Sequence, residues 1–338
     1  MNYAQTLTHL IERQDLPFAE MHELMNHIMR GQFTTAQIAA VLVALRMKGE
    51  TVDEIAAAAE VMRELSSKVE VQHADHLIDT CGTGGDGAQT FNISTASALV
   101  AAAAGAHVAK HGGRSVSSKC GSADVLEKLG VNVNLTPEKV AHCVDTIGVG
   151  FMFAPNHHAA MKHAGPVRRE LGVRTLFNML GPLTNPAGAQ NQVIGVFSRS
   201  LTSKLARVLA TLGSAHVMVV HGSDGMDEIS ISAPTFVAEL KNGEIKEYSV
   251  EPAQFGLTPA PLNAIQVADA DEARNMLDQV LDNQPGPARD IVQLNAGAAI
   301  YVAGLAPSLA EGVKKAGEML AGGAAKHKLS QLVELSHS

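Results

Sequence analysis

Residues 76–105 place a short apolar run, a glycine-rich loop and an alanine-rich run in direct succession. His76-Leu-Ile-Asp-Thr80 reads as a strand, and the stretch from Ser94 to Gly105 reads as a buried helix. Between them lie Gly82, Gly84, Gly85 and Gly87, whose missing side chains let backbone N–H groups approach a ligand closely. The N-terminus of the following helix adds positive potential. Strand, loop and helix in this order predict an α/β domain built to meet phosphate.

The charge pattern agrees. From Ala88 to Ala123 there is no Asp or Glu, whereas Lys110, Arg114 and Lys119 stand among glycines and hydroxyl side chains. Gly82, Gly84 and Gly87 satisfy G-x-G-x-x-G, but a dinucleotide fold also needs an acid about twenty positions on for the ribose hydroxyls. Near the end of the next strand, His107 to Lys110, the chain offers Lys-His-Gly-Gly-Arg instead, which favours a second phosphate contact. No Gly-Lys-Ser/Thr closes the loop, so it is not a Walker A motif.

Composition bounds the remaining classes. At 338 residues, 46% hydrophobic and 18% charged, the chain has material for a sizeable core and is not disordered. A net charge of −8 opposes general attraction to nucleic acid or anionic membranes, and aromatic content of 4% with no Trp supplies few stacking platforms. Cys81, Cys120 and Cys143 lack C-x-x-C spacing, so neither a disulfide framework nor a zinc site is indicated. The N-terminal stretch has no basic and then apolar pattern, and the alanine-rich run is too short to span a bilayer, so a cytoplasmic location is expected.

The first seventy residues read as four helices. Thr34…Gln37 and Thr51…Glu54 have the capping-box pattern, with Gly31 and Gly49 where preceding helices stop. Ile38, Val41, Leu42 and Leu45 recur at helical spacing as a core stripe. A unit this small and rich in Ala and Met invites a partner surface, so a homodimer is expected. From His76 onward strands alternate with helices: 131–135, 192–197, 216–221, 235–240 and 245–248 read as strands, 137–146 and 202–212 as helices. The tail, 269–335, is helical again, broken at Pro285-Gly-Pro287. The fold class is therefore α/β: a small all-helical N-terminal domain with a large domain around a mostly parallel sheet.

A second cluster, Asp224-Gly-Met-Asp227-Glu228, directly follows the strand at 217–220, at the end of a strand where open α/β sheets bind ligands. Three carboxylates beside a phosphate site suit Mg²⁺; taken alone the run reads as a solvated acidic turn. His157, His158 and His163 lack metal-ligand spacing and read as surface or pocket-lining groups. Arg168, Arg169 and Arg174 read as a solvated helix face, or as a fork for a substrate carboxylate.

Taken together, GTGGDG at 82–87, NIST at 92–95, KHG-R-S-SSK-GSAD at 110–124, GPVRRELGVRTLFNMLGPLTNP at 165–186 and DGMDE at 224–228 resemble the anthranilate phosphoribosyltransferases of tryptophan biosynthesis. The resemblance covers essentially the whole chain. It implies a helical domain, 1–72, on which about 165–186 packs back, and an α/β domain, 73–164 and 187–338, with a homodimer as the usual assembly. It also implies transfer of the phosphoribosyl group of phosphoribosyl pyrophosphate to the amine of anthranilate, with Mg²⁺ and no protein nucleophile.

By position, the resemblance assigns the donor to Gly82, Gly85, Asp86, Thr90, Asn92, Ile93, Ser94, Thr95, Lys110, His111, Gly112, Gly113, Arg114, Ser115, Val116, Ser117, Ser118 and Ser122. Anthranilate falls to Gly82, His111, Gly113, Pro155, His158 and Arg168, and Mg²⁺ to Ser94, Asp227 and Glu228. Lys110 and Arg114 would neutralise the departing diphosphate, and Arg168 would engage the anthranilate carboxylate. Two positions depart from the family pattern: Gly113 stands where Asn is usual, and Cys120 where Ser is usual. A pyrimidine nucleoside phosphorylase-like enzyme and a non-catalytic nucleic-acid-binding relative are the alternative readings.

Overall fold

The computed structural model describes residues 2–72, 75–114 and 119–338. Four helices open the chain, α1 (Tyr3–Ile11), α2 (Phe18–Met29), α3 (Thr35–Lys48) and α4 (Val52–Glu64). Both expected capping boxes form: Gln37 N–H donates to Thr34 Oγ1 at 3.3 Å and Glu54 N–H to Thr51 Oγ1 at 3.2 Å, each with its reciprocal bond. Such a cap contributes about 1 kcal/mol. Glu54 does more, since its buried carboxylate also takes Leu16 N–H at 2.9 Å and Lys48 Nζ at 2.9 Å, tying the α1–α2 loop to α4. Ile38, Val41, Leu42 and Leu45 are all buried.

The rest of the chain supplies β1 (Leu77–Asp79), α5 (Ile93–Ala103), β2 (His107–Gly112), α6 (Ser122–Lys128), α7 (Pro137–Ile147), β3 (Val149–Phe153) and α8 (Ala154–His157). Next come α9 (Met161–Leu171), α10 (Phe177–Leu180), β4 (Asn191–Gly195), α11 (Thr202–Thr211), β5 (His216–Gly222), β6 (Thr235–Lys241) and β7 (Glu244–Val250). Four helices close the fold, α12 (Ala270–Leu281), α13 (Pro287–Val302), α14 (Leu309–Ala321) and α15 (Ala324–Ser336). Among the described residues no helix is long and apolar enough to cross a membrane.

The seven strands form one sheet in the order β3-β2-β1-β4-β5-β6-β7. The first five run parallel, and β6 and β7 add an antiparallel edge. Successive side chains of a strand point to opposite faces, and the two cores follow from that. Val193, Met218 and Val220 face a core with α5, α13 and α15, whereas Ile194, Val217 and Val219 face one shared with α11 and the N-terminal helices. That second core continues into Ala164, Val167, Phe177 and Leu180, so α9 and α10 lie against α2, α3 and α4.

One expected strand is absent, and one strand, β3, was not expected. Residues 131–135 form no strand: Val131, Val133 and Leu135 are buried as an alternating pattern requires, but Asn132 N–H donates to Ser336 Oγ at 3.0 Å. The segment packs against the end of α15 instead of a sheet neighbour. Conversely β3 has no polar alternation, because all five residues are buried on the parallel side of the sheet.

A polar network at the amino end of β5 clips the antiparallel edge to α13. Glu239 takes His216 Nε2 at 2.8 Å, Tyr301 OH at 2.8 Å and Tyr248 OH at 2.8 Å. Burial pushes the Glu239 carboxyl up, but the bonds from His216, Tyr301 and Tyr248 outweigh it and bring it down to about 2. Its stabilisation is thus fully present above the ordinary carboxylate range and is lost as pH falls through about 2. Tyr248→Phe is expected to cost about 2 kcal/mol at neutral pH, a difference that shrinks on acidification. Denaturant unfolding of both proteins across pH checks it, and a pH-independent difference would count against the network.

Candidate active site

The strand order reverses between β1 and β4, opening a crevice at their carboxyl ends where open α/β sheets bind ligands. β1 stops at Asp79 and the chain enters the glycine loop. Gly84, Gly85 and Gly87 have φ of 66°, 78° and 77°, a left-handed run that side chains disfavour. The loop is fastened from below: Thr83 N–H donates to Gly195 O at 2.8 Å, Phe197 N–H to Thr83 Oγ1 at 3.2 Å, and Gly84 N–H to Asp227 Oδ2 at 2.7 Å. Behind it α5 begins at Ile93, with Ser94 half-buried in its first turn. Thr95 Oγ1 and Asn92 Oδ1 are buried there and have no hydrogen-bond partner among the described residues.

Lys110, on β2, is buried under this loop and donates to Thr80 O at 3.0 Å and Ser94 Oγ at 3.2 Å. The acidic run divides. Asp224 builds its own turn, accepting Ser230 Oγ at 2.6 Å, Ser232 Oγ and Met226 N–H at 3.3 Å. Asp227 and Glu228 turn to the glycine loop, where Asp86 is the third carboxylate, 3.3 Å from Asp227 N. Asp227 is pushed well up by burial and then by the charges of Asp86 and Glu228; burial raises Glu228 to about 7 in spite of Lys110. Carboxylates so destabilised, with a serine hydroxyl beside them, have the donor chemistry of a hard divalent cation. Thr80, Gly82, Ser94, Ser97, Glu228 and Asn295 line a small pocket at this point.

His111 and His158 sit on the other side of Lys110, their rings 5.1 Å apart and both buried. Burial first, and neighbouring imidazoles second, lower them to about 3 and about 4, so both are neutral at physiological pH. Both ring nitrogens of His111 and Nε2 of His158 are without partners among the described residues. His157 is buried too, with Nδ1 3.0 Å from Ser67 O, so neither member of the pair is a surface group. Pro155 is exposed at the start of α8. Arg168 leaves the solvated face of α9 and stacks over Phe177 at 5.3 Å, while Arg169 stays exposed.

Arg114 is held apart from the loop. Its guanidinium forks onto Glu127 at 2.6 and 2.7 Å, meets Asp124 at 2.9 Å and lies 5.5 Å over Phe153. The acid-free stretch thus ends where the partners of Arg114 begin. Thr90 bridges to Gln266, Asn92 donates to the carbonyl of buried Cys120 at 3.1 Å, and Ser122 opens α6. Gly112 lies against Phe151 and Ser122, whereas a Cβ on Gly113 would meet nothing within 4 Å among the described residues. Ser115, Val116, Ser117 and Ser118 fall outside the described residues.

Two residues at the crevice escaped notice in the sequence. Asp79 is fully buried, takes His111 N–H at 3.1 Å and Asn185 Nδ2 at 2.7 Å, and is pushed up to about 6 by burial. An acid inside the run Leu-Ile-Asp-Thr was its only signal. Gly195 ends β4 against the Asp227 backbone, and its signal was a glycine directly after the β-branched pair Val193-Ile194.

Family models match in two parts: a glycosyl transferase family helical bundle domain over residues 4–66, and a glycosyl transferase family a/b domain over 74–326. Among curated relatives, the anthranilate phosphoribosyltransferase of Nitrosomonas europaea is 61% identical over 337 residues, covering 100% of this chain and 99% of that protein. That of Laribacter hongkongensis is 62% identical over 337 residues, covering 100% and 98%. Among solved structures, the enzyme from Thermus thermophilus superposes with a TM-score of 0.93 at 44% identity, covering 98% of this chain and 99% of that one. The Saccharomyces cerevisiae enzyme, in complex with PRPP and Mg, gives 0.90 at 26% identity, covering 99% and 98%. With these matches along its whole length, the chain belongs to the anthranilate phosphoribosyltransferases.

Proposed function

We propose that the chain transfers the phosphoribosyl group of phosphoribosyl pyrophosphate to the amine of anthranilate, releasing pyrophosphate, as a cytoplasmic step of tryptophan biosynthesis. The observation that carries the reading is the glycine loop fastened to Asp227, with buried Lys110 bonded to Thr80 and Ser94 on either side of it in the chain. The division proposed is a helical domain, 1–72, with about 165–186 packing back on it, and an α/β domain, 73–164 with 187–338.

On this reading the diphosphate is met by the N–H groups of 82–87, the start of α5 and Lys110, a preorganised field aimed at the charge that develops on the leaving group. Ser94, Asp227 and Glu228 would hold Mg²⁺, with Asp86 adjacent. Bound there, the ion supplies positive charge to the diphosphate oxygens as the bond to ribose C1 breaks. Arg168 takes the anthranilate carboxylate, and His111 and His158, each neutral with one acceptor and one donor nitrogen, line the path of the aromatic amine. An aromatic amine is itself a nucleophile, so positioning it against C1 carries the remaining rate. Arg114 would exchange its carboxylate partners for phosphate on binding.

Mixing the protein with anthranilate, phosphoribosyl pyrophosphate and Mg²⁺ should consume anthranilate fluorescence; folded protein without turnover would refute the proposal. Because a Cβ on Gly113 would meet nothing within 4 Å among the described residues, Gly113→Asn is expected to be accommodated and to supply the amide usual in the family. We expect the KM for anthranilate to fall several-fold in initial-rate assays, and an unchanged or higher KM would count against this pocket.

The assembly proposed is a homodimer. Ile11 (67% exposed), Met47 (70%) and Val43 (37%) leave an apolar face on α1 and α3, around a hollow of about 240 Å³ shared with Leu7 and Leu10. Ile11→Asp should shift the mass seen by light scattering from dimer toward monomer. A wild-type protein that is already monomeric at micromolar concentration would contradict it.

A further inference from the structure

Arg174 has no task in the proposed transfer, and although exposed it lies beyond the end of α9, off the helix face. Gly172 ends α9 with a left-handed φ of 63°, and the chain is buried again at Thr175, so Arg174 projects from a short connector between α9 and α10. Its guanidinium lies 4.1 Å over the ring of Phe197 and donates to the carbonyl of Gly85.

Three consecutive residues of the glycine loop are thereby held by three different parts of the chain. Thr83 is held by Gly195 O and Phe197 N–H, Gly84 by the Asp227 carboxylate, and Gly85 by Arg174. The first two supports come from strands β4 and β5 and the loops at their carboxyl ends. The third comes from a segment whose neighbours, Val167 and Leu176, are packed in the core of the N-terminal helices. A planar guanidinium pressed on an aromatic ring loses little further freedom on making its hydrogen bond, which a lysine could not copy. Held on the Gly85 carbonyl, it also brings a fixed positive charge to the rim of a phosphate loop in a chain of net charge −8.

We infer that Arg174 is a positioning residue for the phosphoribosyl donor, setting the shape of the 82–87 loop through Gly85; this rests on the donor-site reading above. Donor affinity then depends on Arg174, while acceptor affinity does not, although Arg168 lies on the same stretch of chain. The experiment compares wild type, Arg174→Ala and Arg174→Lys by initial rates in each substrate, calorimetric titration of phosphoribosyl pyrophosphate with Mg²⁺, and thermal unfolding.

The expected result for Arg174→Ala is a donor KM and Kd raised roughly tenfold or more, an anthranilate KM within about twofold of wild type, and an unchanged Tm. Arg174→Lys should recover only part of the loss. A donor KM unchanged in Arg174→Ala, beside an active wild type, would overturn the inference and leave the donor site standing. Both KM values rising together with a lower Tm would reduce Arg174 to a structural role, and full recovery by lysine would reduce it to a bare charge; either overturns positioning. A wild type that binds no donor in calorimetry would remove the inference and the donor site together.

Discussion

Gly195→Ala is expected to abolish phosphoribosyl transfer. The added Cβ would stand 1.4 Å from the carbonyl oxygen of Asp227 and 2.3 Å from its carbonyl carbon, an overlap of backbone that no side-chain rotation relieves. Gly195 is held in place, paired with Val220 of β5 on one side and accepting Thr83 N–H on the other. The loop carrying Asp227 must therefore move away, taking its carboxylate off Gly84 N–H and out of line with Glu228. Overpacking of this kind typically costs about 1–3 kcal/mol of stability. The loss in kcat/KM should be larger, on the order of a thousandfold or about 4 kcal/mol, since small misplacements of catalytic groups are amplified. Steady-state kinetics beside thermal unfolding would separate the two, and activity within tenfold of wild type would show that the loop does not need this packing.

Neutralising Asp227 and Glu228 as amides should also remove Mg²⁺-dependent turnover, while making the ligand-free protein more stable in mild alkali. Burial lifts Glu228 to about 7, so the folded protein holds a proton there that the unfolded chain releases near 4.5. A raised carboxyl means that stability declines as pH climbs between those values, because the folded state must then ionise an enclosed acid. Asp227 is raised for the same reason, with Asp86 and Glu228 adding repulsion. Glu228→Gln and Asp227→Asn leave the shape and remove that penalty. The measurements are kcat at saturating donor and Mg²⁺, and Tm at about pH 6 and pH 8. Retained metal-dependent turnover, or variants with a Tm below that of wild type at the higher pH, would contradict the placement of these acids.

The parts of the fold legible in the sequence were those set by local chemistry. Thr34 with Gln37 and Thr51 with Glu54 cap helices because their partners are three residues away, and 76–105 folds as strand, loop and helix for equally local reasons. What the sequence hid depends on distant partners. Residues 131–135 alternate as a strand does, but what lies beside them is the end of α15. Asp224, Asp227 and Glu228 look equivalent in a row, and only Ser230, Ser232 and the glycine loop divide them. Arg114 stands in an acid-free stretch, yet its carboxylates lie one turn into α6. His157 and His158 could be surface or pocket-lining groups by sequence, and the fold buries both.

A crystal structure with phosphoribosyl pyrophosphate and Mg²⁺ will show whether the glycine loop and the acids of the β5–β6 loop make one donor site. The diphosphate is expected between residues 82–87 and the start of α5, with Lys110 beside it and the metal held by Ser94, Asp227 and Glu228. A diphosphate bound away from that loop, or metal found only at the surface group of His22, Glu60 and Glu64 on α2 and α4, would contradict it.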